Sequence, residues 1–359
     1  MRILDRYLVR EFLKSLAFAL LAFVLLFILV DIFEKLDLFI DAKAPALLVA
    51  LFYLYQTPYI IVLTLPVAML LASLATVRQL ARNHEIVAMK AAGISLYRIF
   101  APLFALGFAI SLAILAVGET AVPFTNQKKG RLERKQIRRQ NDGETILFNV
   151  LYDGSRGQQY YIKQYNVPEA AMDSVIIAEK AGATAMKKRI DARSGRWAGR
   201  HWVLEKVTVR KFNPDGSEDV AQFDAYVLAG FDETPQSFSK KQPLPDEMGF
   251  FQLRTFINQL NRSGVDAQKF VVDLYLKISF PFANLIILIF GLPLLANARK
   301  SGTAMGFAIS LLICFVFWGM LQTGRALGHN ATLPPVLAAW LPNAVFGAVG
   351  AVLMYRAPK

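Results

Sequence analysis

A short amphipathic stretch between residues 78 and 93 carries the charged side chains whose spacing most clearly indicates chemistry. It separates two apolar runs, is too polar to cross a bilayer, and repeats with helical periodicity. Six side chains define its two sides: Leu80, Ile86 and Met89 on the apolar side, and Arg82, His84 and Glu85 on the polar side. A lone exposed carboxylate is most commonly a solvated surface group. A carboxylate midway along such a helix can also bind a basic groove on another protein through charge-assisted hydrogen bonds. We therefore predict a separate helix over about residues 79–92 that couples this chain to a partner.

The sequence contains no motif of an enzyme. There is no Gly-x-x-x-x-Gly-Lys-Ser/Thr phosphate loop and no Gly-x-Ser-x-Gly nucleophile motif. The three histidines, His84, His201 and His329, lack the spacing of metal ligands. We predict no catalytic residue, no metal ion and no cofactor in this chain. Any ATP and Mg²⁺ that drive it would be bound by a partner ATPase.

The composition is that of a membrane protein with a polar insert. Of the 359 residues, 55% are hydrophobic and only 19% are charged. The net charge of +13 would first suggest nucleic-acid binding. The basic residues, however, lie at the ends of apolar runs, where they set orientation in a bilayer. We therefore predict no nucleic-acid partner. The single cysteine, Cys314, excludes a disulfide within the chain.

Six apolar runs are long enough to span a bilayer, which needs about 20 residues. They lie at about residues 13–33, 47–75, 99–118, 270–296, 303–324 and 335–354. The first has no small-residue cleavage site after it, so it reads as an uncleaved span. Lys and Arg are concentrated in the termini and in alternate short loops. This asymmetry predicts a multi-pass inner-membrane protein with both termini in the cytoplasm and the long insert in the periplasm.

The insert has a different periodicity. From Glu144 to Leu228 apolar and polar residues alternate, and turn signals occur at residues 153–154, 193–195 and 213–216. The pattern predicts six to eight antiparallel strands, followed by a partly helical segment at residues 246–264. The predicted fold is an α-helical membrane protein with six transmembrane helices plus a periplasmic all-β jelly-roll-like domain. The predicted domains are 1–124 with spans 1–3, 125–268 with the β-domain and its helical connections, and 269–359 with spans 4–6.

Several segments of this sequence resemble one family. They are Leu4-Asp5-Arg6-Tyr7, Leu80 to Ser95 around Glu85, Gly118-Glu119 with Pro123, Ser263-Gly264, Leu333-Pro334-Pro335 and Leu341-Pro342. Across the whole chain they resemble the LptF/LptG family of lipopolysaccharide export permeases, with the LptG branch closer. The resemblance implies outer-membrane biogenesis, with the permease extracting lipopolysaccharide from the inner membrane for a periplasmic bridge. The implied partners are an LptB-like ATPase dimer, an LptF-like second permease half, a single-span LptC-like protein and an LptA-like periplasmic protein. Glu85 matches the family's coupling-helix glutamate.

A lipid with several acyl chains and phosphates requires apolar walls and a basic rim. The candidate substrate-binding residues are Phe27, Phe33, Glu34 and Lys35 around the first span, Lys277 in the fourth and Arg325 in the fifth. A lysine inside a span is a functional hypothesis by default, although Asp273, four residues earlier, can pair with it. In the family, basic residues lie near the outer end of the first span. Here Asp31 occupies one of those positions, and Lys35 is the nearest cation.

Two other functions remain open from the sequence. A membrane-anchored scaffold or assembly protein would use its β-domain to bind partners without any transport. An ion-coupled secondary transporter would need carboxylates buried in mid-span and inverted repeats, and neither is evident. Coupling to ATP turnover that depends on lipopolysaccharide would distinguish a permease from a scaffold.

Overall fold

The computed structural model describes residues 3–137, 146–154, 158–181, 185–213, 217–228, 233–239, 245–262, 265–297 and 303–356. The chain divides into two compact units. The helical unit comprises residues Met1–Lys129 and Gln268–Lys359, and the β unit comprises Gly130–Ala267.

The helical unit contains the six predicted spans. The described residues include six helices that are long and apolar enough to cross a membrane. The long helices are α1 (Ile3–Glu34), α3 (Ala46–Arg82), α5 (Leu96–Glu119), α9 (Gln268–Asn297), α10 (Thr303–His329) and α11 (Pro335–Tyr355). The short ones are α2 (Leu36–Asp41), α4 (Glu85–Ala91) and α6 (Ala121–Leu132), which continues the direction of α5 after Thr120. The prediction of a six-span helical membrane protein is confirmed.

Helix α9 is the centre of this unit, because α3, α5, α10 and α11 all pack against it. Its approach to α11 is close: a Cβ built on Gly350 would lie 2.9 Å from the Phe290 backbone. Helix α1 packs mainly against α3. The two ends of the unit are called here the α4 end and the α2 end. Tyr97 Oη, at the start of α5, donates to the Met354 carbonyl near the end of α11 at 2.7 Å, which places both at the α4 end.

The β unit is built on one antiparallel sheet. Its strands are β1 (Ile146–Asp153), β2 (Gln158–Asn166), β3 (Ala171–Ala181), β4 (Ala185–Trp197), β5 (Trp202–Phe212) and β6 (Glu218–Val227). Their order in the sheet is the order in the chain, so each strand pairs with its sequence neighbours. The predicted antiparallel β-domain is confirmed, and its six described strands form a meander. Helix α8 (Phe250–Arg262) lies in the segment predicted to be partly helical, and it buries Leu253, Phe256, Ile257 and Leu260.

A transverse crease crosses all six strands. Between β1 and β2 the pairs Phe148↔Gln164 and Val150↔Ile162 keep one register, and the position between them is unpaired. The same gap recurs in every adjacent strand pair. The crease positions are Asn149, Lys163, Ser174, Arg193, Lys206 and Asp224. Three of them have left-handed backbones, with φ of 54° at Asn149, 52° at Ser174 and 50° at Lys206. Non-glycine residues rarely adopt this conformation, and it redirects the strand.

The crease lets one sheet bury a single apolar face on both of its halves. Along β5 the buried residues are Trp202 and Leu204, then Val207 and Val209. The interval is therefore two residues, except for three across the crease. Buried residues from both halves form one core. Residues 193–195, predicted to form a turn, lie inside β4 at this crease. That turn prediction was wrong, because Ser194 and Gly195 pair with both β3 and β5 and keep the strand continuous.

A segment after β6, residues 233–239, closes the core between the two halves of the creased sheet. It contains the short helix α7 (Pro235–Phe238). The Phe238 ring contacts four aromatic rings at centroid distances of 5.1–6.0 Å. Tyr152 and Tyr160 belong to one half of the sheet, and Tyr165 and Trp202 to the other. Phe238 is 1% exposed, so it joins the two halves as a shared core residue.

Candidate functional site

A separate short helix lies within the range predicted for coupling, but it is shorter than the sequence indicated. Residues 79–82 continue α3, and the separate helix α4 begins only at Glu85. Nothing at residues 76–82 breaks a helix, so the second span extends as far as Arg82. The break comes at His84, whose φ of 55° is left-handed. Arg82 and His84 therefore flank a tight bend, and Glu85 is the first residue after it.

The Glu85 carboxylate is held by two neighbouring side chains. Tyr7 Oη of α1 donates to Glu85 Oε1 at 3.1 Å, and Asn83 Nδ2 donates to the same oxygen at 3.0 Å. Both donors converge on one carboxylate oxygen, so the side chain has a defined orientation at the surface. Such hydrogen bonds to a charged group are stronger than neutral ones.

A partly buried ion pair ties α1 to α5 beside this carboxylate. Asp5 is 8% exposed, and the Arg98 guanidinium contacts it at 2.8 Å and 3.1 Å. Leu8 and Phe12 of α1 are fully buried in the same core as Leu80. The first three turns of α1 therefore belong to the same core as Ile86 and Met89 of α4. Sequence analysis did not predict this contact, although the Leu4–Tyr7 motif was part of the family resemblance.

The exposed surface of α4 and the bend before it contains both charged and apolar side chains. Ile86 and Met89 are buried at 0% and 9% exposure, so they anchor α4 to its own chain. Val87 is 51% exposed, and Arg82 and His84 are exposed beside it. An exposed apolar residue next to charged ones can serve a protein interface. Val87 was not among the predicted site residues.

At the α2 end, Lys35 is held by a carboxylate. Its Nζ donates to Asp31 Oδ1 at 2.9 Å and Oδ2 at 2.8 Å. Tyr53 Oη of α3 donates to Asp31 Oδ2 at 2.8 Å. Asp31 is 8% exposed, and Lys35 Nζ also lies 5.2 Å from the centroid of the Phe52 ring. The predicted substrate-binding cation is therefore part of an Asp31–Lys35–Tyr53 cluster that joins α1 to α3.

Further lysines and aromatic rings surround this cluster. Lys129 Nζ lies 5.8 Å from the Phe52 ring centroid. Lys128 Nζ lies 4.4 Å from the Phe124 ring and 5.8 Å from the Tyr55 ring. A cation within about 6 Å of an aromatic ring centroid is attracted by the face of the ring. We call Lys35, Lys128 and Lys129 with their rings the cationic rim.

The other predicted substrate residues are dispersed. Phe33 is 68% exposed, Glu34 is exposed and Phe27 is half-buried. Also at the α2 end, Arg325 Nε donates to Asp273 Oδ1 at 2.9 Å. His329 Nε2 lies 3.1 Å from the same oxygen. Arg325 is therefore paired with α9, which fits an anchor. Lys277 is half-buried in α9, and its headgroup role stays a prediction.

Among the described residues, no group of three or more His, Cys, Asp or Glu side chains has the arrangement of a metal site. The geometry instead gives two polar clusters at opposite ends of α1. One presents a carboxylate on a short surface helix, and the other presents lysines beside aromatic rings. The groups at the α4 end can bind a protein. The groups at the α2 end can bind an anionic amphiphile.

Comparison with known proteins shows what the whole chain is similar to. The family model described as lipopolysaccharide export system permease LptF/LptG matches residues 6–356. LptF of Escherichia coli (strain K12), a lipopolysaccharide export system permease protein, is 22% identical over 370 residues, covering 98% of this chain and 94% of that protein. LptG of the same strain is 23% identical over 364 residues, covering 99% and 98%. These similar identities do not separate the two branches, so the LptG branch stays a prediction.

Proposed function

The chain belongs to the LptF/LptG family of lipopolysaccharide export permeases, and from this premise we propose that it is one half of an ATP-driven exporter whose ATPase is a separate chain. Its family and its six apolar helices make it a multi-pass inner-membrane permease component. The finer assignments proposed here are the coupling to ATP, the direction of insertion, the substrate contacts and the periplasmic partners.

The observation that carries the coupling is the orientation of Glu85. Tyr7 and Asn83 hold one of its oxygens at the start of a short surface helix. A basic groove on an LptB-like ATPase can bind the other oxygen. Because α4 is anchored by Ile86 and Met89, a displacement of α4 also displaces the first turns of α1. ATP binding changes the permease only if the ATPase binds its two states with different affinity.

We propose that the α4 end lies in the cytoplasm and the α2 end on the periplasmic side. This orientation follows from the concentration of Lys and Arg in the termini and the α4 loop. The cationic rim then lies at the periplasmic surface, where the phosphates of lipopolysaccharide in the outer leaflet would be. Its aromatic rings supply apolar contact beside the charge. Phosphate contact by Lys35 requires that the headgroup compete with Asp31 or bind together with it.

The β unit is the proposed link to the periplasmic bridge. Edge strands β1 and β6 have only one sheet neighbour each among the described strands. Side chains along β6 are exposed, including Val220 at 56% and Phe223 at 43%. An exposed edge with apolar side chains can accept a strand from a like domain. An LptC-like or LptA-like β-protein is the partner we propose, with an LptF-like permease as the second membrane half.

The test is purification of the full chain in mild detergent, with identification of subunits and lipid, followed by ATP turnover with and without lipopolysaccharide. Glu85→Ala and Glu85→Lys should lower lipopolysaccharide-stimulated turnover at least about tenfold, since a hydrogen bond to a charged group contributes about 1.5–3 kcal/mol. Glu169→Ala, which removes an exposed carboxylate from the β unit, should leave turnover unchanged. Unchanged turnover in both Glu85 variants would refute the coupling role. If the ATP turnover of the assembly does not change when lipopolysaccharide is added, the result would favour the scaffold function over the permease function.

A further inference from the structure

The hairpin of β4 and β5 carries more than half of the chain's surplus positive charge. Between Ala185 and Phe212 there are nine Lys and Arg residues and two Asp and Glu residues, a net charge of +7 in a chain whose total is +13. The two carboxylates are already held within the hairpin. Asp191 accepts from the Arg189 guanidinium at 2.8–3.0 Å, and Glu205 accepts from Ser194 Oγ at 2.8 Å.

Five cations of this hairpin form an exposed stripe without counter-charge. We call them the outer basic stripe: Arg193, Arg196, Arg200, Lys206 and Arg210. Within the described part of the chain, none of the five has a carboxylate at ion-pair distance. Arg196 and Arg210 each follow a buried position, Gly195 and Val209, so they lie on the face opposite to the core. Uncompensated like charges on one surface repel each other and attract an anion.

The outer basic stripe is long and bent. Arg210 pairs with Arg189 in the sheet, and Arg196 lies seven residues further along β4, which corresponds to about 23 Å. Arg193 and Lys206 occupy adjacent crease positions between these two levels. Both halves of the sheet fold toward one shared core. The stripe therefore runs over the convex side of the crease.

The neighbouring side chains indicate what can bind there. Among the described residues of β4 and β5, no large hydrophobic side chain is exposed, whereas a protein interface normally has an apolar centre with large anchors. A flat bilayer would touch a convex stripe at one level only. A flexible chain of acidic sugars can follow the whole stripe. Four of the five cations are arginines, whose guanidinium binds phosphate and carboxylate through two parallel hydrogen bonds.

We propose that the outer basic stripe binds an acidic oligosaccharide that carries phosphate or carboxylate groups, namely the sugar portion of lipopolysaccharide as it passes the β unit. The proposal rests on the proposed function, which puts the β unit in the periplasm and makes lipopolysaccharide the cargo. The stripe belongs to the β unit and contacts sugars, whereas the cationic rim belongs to the helical unit.

The test measures binding of a soluble probe to the full chain with its co-purifying subunits in detergent. The probe is the phosphorylated oligosaccharide that mild acid releases from lipopolysaccharide, and a neutral glucan of similar length is the control ligand. We expect the acidic probe to bind, more weakly at high salt, and the glucan not to bind. One exposed ion pair changes affinity by up to about fivefold, so Arg196→Gln with Arg210→Gln should weaken binding about 10- to 25-fold.

Matched variants separate the stripe from general charge. Arg254→Gln with Arg356→Gln removes two exposed cations outside the hairpin and should bind the probe as the unchanged chain does. Arg196→Lys with Arg210→Lys keeps the charge but loses the paired hydrogen bonds, so its affinity should lie between those of the unchanged chain and the Gln variant. Unchanged affinity in the Arg196/Arg210 Gln variant, or an equal loss in the control variant, would overturn the proposal. Binding of phosphatidylglycerol vesicles through the stripe without binding of the oligosaccharide would also overturn it, in favour of membrane contact.

Two further measurements separate this proposal from the proposed function. An Arg200→Cys variant in a Cys314→Ala background should react with an impermeant thiol reagent in spheroplasts, and lack of reaction would refute the periplasmic placement of the β unit. Lipopolysaccharide-stimulated ATP turnover is measured on the same unchanged preparation. Normal stimulation without oligosaccharide binding would refute the stripe alone, whereas oligosaccharide binding without stimulation would refute the proposed function.

Discussion

Removing Asp31 should reveal how strongly α1 is tied to α3 at the α2 end. Asp31 accepts two hydrogen bonds from Lys35 and one from Tyr53, all at 2.8–2.9 Å. The side chains are 11% exposed for Asp31 and 31% for Lys35. Hydrogen bonds to charged groups contribute about 1.5–3 kcal/mol each, but they are not additive within one network. Because Lys35 is partly solvated, we expect Asp31→Ala to cost about 2–3 kcal/mol, below the range for a fully buried pair.

A double-mutant cycle measures the pair itself. Lys35→Ala should cost about 1–2 kcal/mol, and the double variant should cost less than the sum by about 1–2 kcal/mol. The measurement is thermal unfolding of the purified protein in one detergent, where 1 kcal/mol corresponds to a shift of about 2–4 °C. Asp37→Asn changes an exposed carboxylate of α2 and should shift the midpoint little. Additive effects of the two substitutions would refute the reasoning, since Lys35 and Asp31 would then act independently.

The same perturbation tests the substrate side. Asp31→Asn keeps an acceptor for Tyr53 but releases Lys35 from its counter-charge. If Asp31 competes with a phosphate for Lys35, lipopolysaccharide should bind this variant about tenfold more tightly, which corresponds to about 1.4 kcal/mol. Weaker binding would show instead that Asp31 orients Lys35 toward the headgroup.

Three further predictions concern the α4 end and the β unit. Tyr7→Phe removes only the hydroxyl that binds Glu85, and it should lower lipopolysaccharide-stimulated ATP turnover several-fold without changing subunit co-purification; unchanged turnover contradicts this. Phe238→Ala should destabilise the β unit by about 3–5 kcal/mol, seen as faster proteolysis of that unit in the full chain, whereas equal proteolysis would exclude a core role. Burial, followed by the hydrogen bond to Glu233, raises the pKa of Tyr160 above its usual value. A raised folded pKa means that stability is retained below about pH 10 and lost above it, so Tyr160→Phe should flatten the alkaline part of the unfolding profile.

The spans were predictable because a bilayer imposes a length and a composition on every crossing helix. The end of the second span was not, since residues 79–82 contain no helix breaker and continue the helix beyond the apolar run. Only the left-handed backbone at His84 ends it. Histidine is not a strong sequence signal for that conformation, which explains why the coupling helix was predicted to start about six residues too early.

The β unit shows a different limit. A period of two predicted strands correctly, but the residue types at 193–195 were read as a turn signal. Within β4 the buried residues Ala192 and Gly195 are separated by an interval of three residues. In the structure this interval is the crease, repeated at one level across six strands. The sequence of a single strand cannot reveal the crease. Only the pairing of the strands shows that the unpaired positions lie at the same level in every adjacent pair. The Tyr7–Glu85 contact was hidden for a similar reason, with 78 residues between its partners.

Helix α1 connects the two polar clusters and is the span least embedded in its own chain. Only 6% of its most apolar stretch is buried, compared with 67% for α3. Asp5 binds Arg98 of α5 near one end, and Asp31 accepts a hydrogen bond from Tyr53 of α3 near the other. The 26 helical steps from Asp5 to Asp31 correspond to about 39 Å. A helix fixed at both ends and loosely packed between them moves as a rod, because its backbone hydrogen bonds resist bending while few side-chain contacts resist displacement. A shift of α4 can therefore reach the cationic rim through α1, without rearrangement of the densely packed helices around α9.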